Sequence, residues 1–112
     1  MSKKAPAVDR IRALNDTVRQ TGIGGQVMTT SGFASLDKDI QDYLLEAIRN
    51  FDDFTEDNDP YGEHDCAIVS WEGYRVMFKF DYYDAAMSHG SEDPADPNKT
   101  VRVMTIMFPE EY

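Results

Sequence analysis

A single cysteine, Cys66, leaves this 112-residue chain with no internal disulfide to form, which suits a reducing compartment and excludes a stapled secreted scaffold. No apolar run is long enough to cross a bilayer. The opening Met1-Ser2-Lys3-Lys4-Ala5-Pro6 is charged, but no apolar stretch follows it as a secretory signal would require. The reading is a cytoplasmic protein with no membrane partner. Histidine is scarce, at two residues; with one cysteine, that leaves too few ligands for a closed zinc site. The chain has no P-loop, no Gly-x-Gly-x-x-Gly and no Gly-x-Ser-x-Gly.

Basic residues are missing from two long segments. Asp52 to Trp71 holds seven acids and no Lys or Arg, and Asp81 to Asn98 holds five acids and again no Lys or Arg. The overall balance is 21 acids against 11 bases, a net charge of −10. That sign argues against a surface that binds phosphate backbone nonspecifically, so direct nucleic-acid binding is not expected. A concentration of negative charge on loops is ordinarily a solvated face; its sharper use is to meet a cation or a basic protein surface.

What is present suffices for one core. Hydrophobic residues make up 41 % and aromatics 12 %, and a chain of this length buries roughly 60–70 % of the surface its unfolded form exposes. Residues 1–6 read as a flexible tail and 7–112 as a single domain. Val8, Ile11, Leu14 and Val18 form one stripe of a helix over 7–21 that stops at Gly22. Gln26 to Thr30 is a short strand. A second helix follows, with Ser35 as its N-cap and Leu36, Ile40, Tyr43, Leu44, Ala47, Ile48 and Phe51 on its apolar face, ending near Phe51 to Phe54. Cys66–Trp71 and Tyr74–Phe80 are strands joined by Glu72-Gly73, a two-residue hairpin loop. A turn-rich loop with two Asp-Pro steps leads to a last strand over 99–108. The fold class is α+β: two helices on one face of a mostly antiparallel sheet of about four strands.

The hairpin loop fixes a register. Trp71 faces Tyr74, Val69 faces Val76 and Ala67 faces Phe78 on an apolar side that meets the helices. Ser70 with Arg75, Ile68 with Met77 and Cys66 with Lys79 occupy a mixed side. A slip of one residue would invert both. Carried outward, the same register places His64 opposite Asp81, with Cβ atoms roughly 4.5–5.5 Å apart.

That pairing would build a site. Asp57-Asn58-Asp59-Pro60-Tyr61-Gly62-Glu63-His64-Asp65 packs four carboxylates and one imidazole into nine residues, and Asp81-Tyr82-Tyr83-Asp84 would meet it at the same end of the sheet. A carboxylate beside an imidazole favours the protonated ring and fixes its tautomer. If this is an enzyme, His64 and Asp81 are the catalytic pair of a small metal-assisted hydrolase. Asp57, Asp59, His64 and Asp81 are then the ligands, and a divalent metal is the cofactor. The calcium-loop pattern fails, because Tyr61 holds the fifth position and Ile68 the twelfth. Cys66 with His64 or His89, and with Lys79 opposite to lower its pKa, is a conceivable nucleophile, although a lone strand cysteine is more often inert. The same acidic run is also good turn chemistry, with Asp and Asn binding their own backbone, and His64 could simply lock the loop.

Ile11-Arg12-Ala13-Leu14-Asn15-Asp16, the run from Phe54 to Asp65, Lys79-Phe80-Asp81-Tyr82-Tyr83-Asp84 and the ending Thr105-Ile106-Met107-Phe108-Pro109-Glu110-Glu111-Tyr112 together resemble a family of small bacterial proteins of unknown function, frequent in alphaproteobacteria and often carried on plasmids. Cys66 is not part of that pattern. The resemblance implies no activity; the plasmid setting hints at handling, protecting or transferring mobile DNA.

The leading expectation is therefore an acidic accessory binding protein that docks on a protein partner, such as a nucleic-acid-processing or defence enzyme. Its binding residues are Asp57, Asp59, Tyr61, Glu63, His64, Asp65, Asp81, Tyr83 and Asp84. One form of it is a nucleic-acid mimic. The hydrolase is the alternative. A homodimer through the mixed sheet face, where Ile68 and Met77 would otherwise be exposed, is a further expectation.

Overall fold

The computed structural model describes residues 4–112, with side chains from residue 7 onward. Helix α1 runs over Lys4–Thr21. It starts three residues before the expected position, because Pro6 falls in the first turn, where its missing N–H satisfies nothing in any case. Positions 4–6 of the expected tail are thus helical, and positions 1–3 lie outside the described residues. The predicted stripe holds: Ile11 and Val18 are buried. Gly22 closes the helix in the left-handed region (φ 76°) and donates its N–H to the Val18 carbonyl at 2.8 Å.

Strand β1 is Gln26–Thr29. A one-turn helix, α2 (Ser31–Ala34), follows it, capped by the Thr30 hydroxyl, which accepts from the Phe33 N–H. Ser35 is the C-cap of this short helix, not the N-cap of the next; its Oγ donates to the Gly32 carbonyl. Helix α3 begins only at Lys38, after Asp37, and ends at Arg49. Gln41 closes the corner by donating from Nε2 to the carbonyls of Ala34 and Leu36. Phe51 and Phe54 lie beyond the helix and pack edge-on against each other and Phe78.

Strands β2 (Cys66–Trp71), β3 (Tyr74–Tyr83) and β4 (Val101–Met107) complete a sheet of order β1-β4-β3-β2. Only β1 and β4 run parallel. The hairpin register matches the expectation at every step from Cys66↔Lys79 to Trp71↔Tyr74. Glu72 (φ 47°) and Gly73 (φ 81°) are both left-handed, the type I′ geometry whose twist suits a two-residue hairpin. The helices cover one face: Val18, Phe33, Leu44 and Ile48 pack on Ala67, Val69, Val76, Phe78, Phe80, Met104 and Ile106. The fold is α+β as expected. Met77, expected to be exposed, is buried, whereas Ile68 stays 45 % exposed.

β3 is three residues longer than the sequence suggested. Asp81, Tyr82 and Tyr83 pair with Val103, Arg102 and Val101 of β4, and β3 therefore runs past the start of β2.

Candidate functional site

The start of β2, the end of β3 and the start of β4 lie at one end of the sheet, so both base-free segments lie there, and Tyr82 at the end of β3 reaches Glu63 of the first loop. The first loop is folded mainly by its own polar side chains. Asn58 Oδ1 accepts from the Thr55 N–H at 2.7 Å, the Asp59 N–H donates to the Thr55 carbonyl at 2.8 Å, and Asp59 Oδ1 accepts from the His64 N–H at 3.1 Å. Gly62 takes the left-handed turn at φ 71°. This is Asx and Ser/Thr turn chemistry.

His64 is also left-handed, at φ 54°, and this single backbone angle overturns the expected pairing. The ladder stops at Cys66. Beyond it Phe80 N–H still reaches the Asp65 carbonyl at 2.8 Å, but the imidazole partners helix α1 instead of β3. His64 Nδ1 lies 2.8 Å from Asp16 Oδ1, and Nε2 lies 3.7 Å from Asp59 Oδ2. The ring stacks on Phe54 with centroids 3.7 Å apart and planes 6° from parallel. Asp81 pairs with Lys79 of its own strand. His64 and Asp81 do not form a centre.

Helix α1 supplies the other half of the arrangement through Arg12, Asn15, Asp16 and Arg19, which fall on one polar stripe at three- and four-residue spacing. Arg12 donates to the Gly62 carbonyl at 2.9 Å. Asn15, fully buried, donates from Nδ2 to the Glu63 carbonyl (3.1 Å) and to the Tyr82 hydroxyl (2.8 Å). Its Oδ1 accepts from Arg102 Nε at 2.7 Å. Tyr82 in turn donates to Glu63 Oε1 at 3.0 Å. Arg102, 1 % exposed, lies over the Tyr82 ring and donates to the Pro94 carbonyl of the second loop. Arg19 donates to Asp16 and to the carbonyls of Ile48, Arg49 and Phe51. One network thus ties α1, both acidic loops, the end of α3 and two strands together.

Burial sets the protonation chemistry. Desolvation raises the Glu63 carboxyl above its ordinary value, against the lowering effect of the Tyr82 hydrogen bond. Asp65 is raised too, first by burial and then by neighbouring Asp59. The Tyr82 hydroxyl is pushed well above the usual phenol range by burial. Cys66 is raised, not lowered: burial comes first, Asp65 and Asp59 add to it, and Lys79 only partly offsets them. The expected activation of a thiol is absent.

The expected site residues therefore split into two groups. Asp59 is buried, and Glu63, His64 and Asp65 are half-buried within the network. Asp57 and Tyr61 face solvent. Asp84 turns inward on its own loop, accepting from the N–H groups of Ser88 and His89, and the Tyr83 backbone bridges to Gly90. Among the described residues, no three His, Cys, Asp or Glu side chains converge as a cation would need. Asp57, Asp59, His64 and Asp81 are not a ligand set in this geometry. Two surface hollows of about 620 and 390 Å³ are lined by Gln20, Glu46 and Asp52 in one case and by Asp84, Glu92 and Lys99 in the other; His64 and Asp81 line neither.

Arg12, Asn15, Asp16, Arg19 and Arg102 belong to the network but were not among the expected site residues; the first three entered only as part of a family motif. Their signal was the polar stripe on α1 beside its apolar one, and an arginine near the start of a largely apolar strand.

The chain matches the family described as proteins of unknown function DUF3768 over residues 29–111. It belongs to that family. No curated protein and no solved structure gave a significant match. Among the described residues no helix is long and apolar enough to cross a membrane.

Proposed function

We propose that this member of the DUF3768 family is an acidic binding module that docks on a basic protein partner in the cytoplasm through the loop end of its sheet. The observation that carries the reading is the division of labour within the first loop. Asp59, Glu63 and His64 are turned inward and occupied in holding the loop, with Asp65 half-buried beside them, while Asp52, Asp53, Glu56 and Asp57 are left exposed on it. Glu92 and Asp93 are exposed on the second loop, and Arg102 holds that loop to the same network. A pinned loop presents charge at little further ordering cost, which favours binding. Complementary charge then speeds encounter and selects the partner.

A partner that normally holds nucleic acid, such as a DNA-processing or defence enzyme, offers the basic surface such a face would fit. A plasmid-borne origin, implied by the resemblance of the motifs, agrees with this version. The test is a pull-down from a bacterial lysate at low and moderate salt. The wild-type chain is compared with one carrying Asp52→Asn, Asp53→Asn, Glu56→Gln and Asp57→Asn. A basic protein retained by the first, released by salt or by duplex DNA, and lost with the second is the expected result. Recovery of no salt-sensitive partner by the wild type rejects the reading.

A further inference from the structure

β2 is an edge strand, and it lacks the devices that usually guard an edge. Cys66–Trp71 carries no charge and no proline, and its ladder with β3 is unbroken, in a chain otherwise rich in carboxylates. The bond from Phe80 N–H to the Asp65 carbonyl fixes the parity of the ladder. Ala67, Val69 and Trp71 bond to β3, and the N–H and C=O groups of Cys66, Ile68 and Ser70 point away from it. On the helix-free face, an apolar row crosses the sheet through Met107, Met77 and Ile68. It is 3 % exposed at Met107 and 8 % at Met77, but 45 % at Ile68, where the sheet ends.

We propose that β2 pairs antiparallel with β2 of a second copy about a two-fold axis at Ile68, joining two four-stranded sheets into one. The register follows from the parity. Only pairing centred on Ile68 sets all three outward-facing residues of each strand against outward-facing residues of the other: Ile68 on Ile68, and Cys66 on Ser70. A slip of one residue matches outward groups with groups already spent on β3, and a slip of two leaves one of the three unpaired. In the centred register the row Met107, Met77, Ile68 continues into the same row of the second copy, and each Ile68 covers the other.

The uncharged edge admits a second copy in spite of the chain's net charge. Two chains of net charge −10 repel each other on most approaches. Within the paired strands, Cys66–Trp71 of each copy, no residue is charged, so no carboxylate faces a carboxylate there. The antiparallel arrangement also sends the two acidic loops to opposite ends of the six-residue strand, about 20 Å apart. That is beyond the screening length of about 8 Å at physiological salt. The interface is isologous and closes on itself.

Sedimentation at rising concentration, with cysteine cross-linking, tests the proposal. The wild type should dimerise reversibly, and Ile68→Lys should remain monomeric with an unchanged circular dichroism spectrum. Hydrogen-bonded antiparallel positions have Cα atoms about 5.5 Å apart, within disulfide reach. Ile68→Cys in a Cys66→Ser background should therefore cross-link to itself under mild oxidation, and Ser70→Cys should cross-link to the native Cys66. The wild type, whose Cys66 faces Ser70, should not. A chain that stays monomeric, a dimer indifferent to Ile68→Lys, or cross-linking through Ile23→Cys in the Cys66→Ser background in place of Ile68→Cys overturns the proposal. Because the cysteine variants change the surface little, they decide the matter even where Ile68→Lys disturbs folding.

Discussion

Arg102 donates from Nε to Asn15 Oδ1 across 2.7 Å, joining α1 to β4, one of the two interior strands of the sheet, in a contact where both residues are buried. Asn15 satisfies three partners there. Asn15→Ala leaves the Glu63 carbonyl and Arg102 Nε without their partner in a place water does not reach. A loss of about 2–3 kcal/mol is expected, read as a lower midpoint in urea with little change of slope.

His64 acts as a lock in this geometry. His64→Ala removes the stack on Phe54 and the contact with Asp16 and keeps a side chain at positive φ. It should cost about 1–2 kcal/mol. Amide exchange should quicken across residues 55–65 more than in the hairpin. Equal protection in both segments would show that the ring does not hold the loop.

Glu63 makes stability depend on pH in an unusual direction. Its folded-state carboxyl is raised above the ordinary 4.5, so between the unfolded and folded values the native state holds more protons than the unfolded one. Its contribution is therefore greatest in acid, below the unfolded value, and is lost as pH rises through the folded value. Glu63→Gln keeps an oxygen for Tyr82 and removes the charge. It should stabilise the protein at neutral pH and have no effect well below pH 4.5, as compared by urea melts at both.

Glu72 occupies a backbone region that costs a side chain roughly 1 kcal/mol. Glu72→Asn, in the sequence Asn-Gly that this turn prefers, should raise stability by about 0.5–1 kcal/mol without moving the hairpin. A thermal melt reads the effect directly.

Titration with Mg²⁺, Mn²⁺ and Zn²⁺ separates a binding module from a metal-assisted hydrolase. Asp81 is engaged by Lys79 and His64 by Asp16, so the two share no cation. Heats unchanged by His64→Ala and by Asp81→Ala are expected. Tight binding abolished by both would restore the hydrolase.

The hairpin was legible in the sequence because strand periodicity and Glu72-Gly73 act locally, and a wrong register would have exposed the core. The one-turn α2 was not, since four residues carry no periodicity, and Ser35 looks the same at either end of a helix. The acidic loop was recognised as a dense cluster of polar groups, but its orientation was not. A β2 continued to position 64 would set the ring against Asp81, whereas the φ of His64 turns it toward a helix 48 residues earlier in the chain. No local pattern encodes that contact. Its counterpart on α1, the stripe of Arg12, Asn15, Asp16 and Arg19, is visible only once the helix is known to face the loop.

The order β1-β4-β3-β2 has a kinetic consequence. β4 leaves the ribosome after β1, β2 and β3, yet it lies inside the sheet, and it is the strand that β1 pairs with. Until residues 101–107 emerge, β1 has nothing to bond to and Asn15 has no Arg102. The hairpin and α3 join neighbours that are close in sequence, whereas α1 and β1 complete their contacts only when β4 inserts beside them.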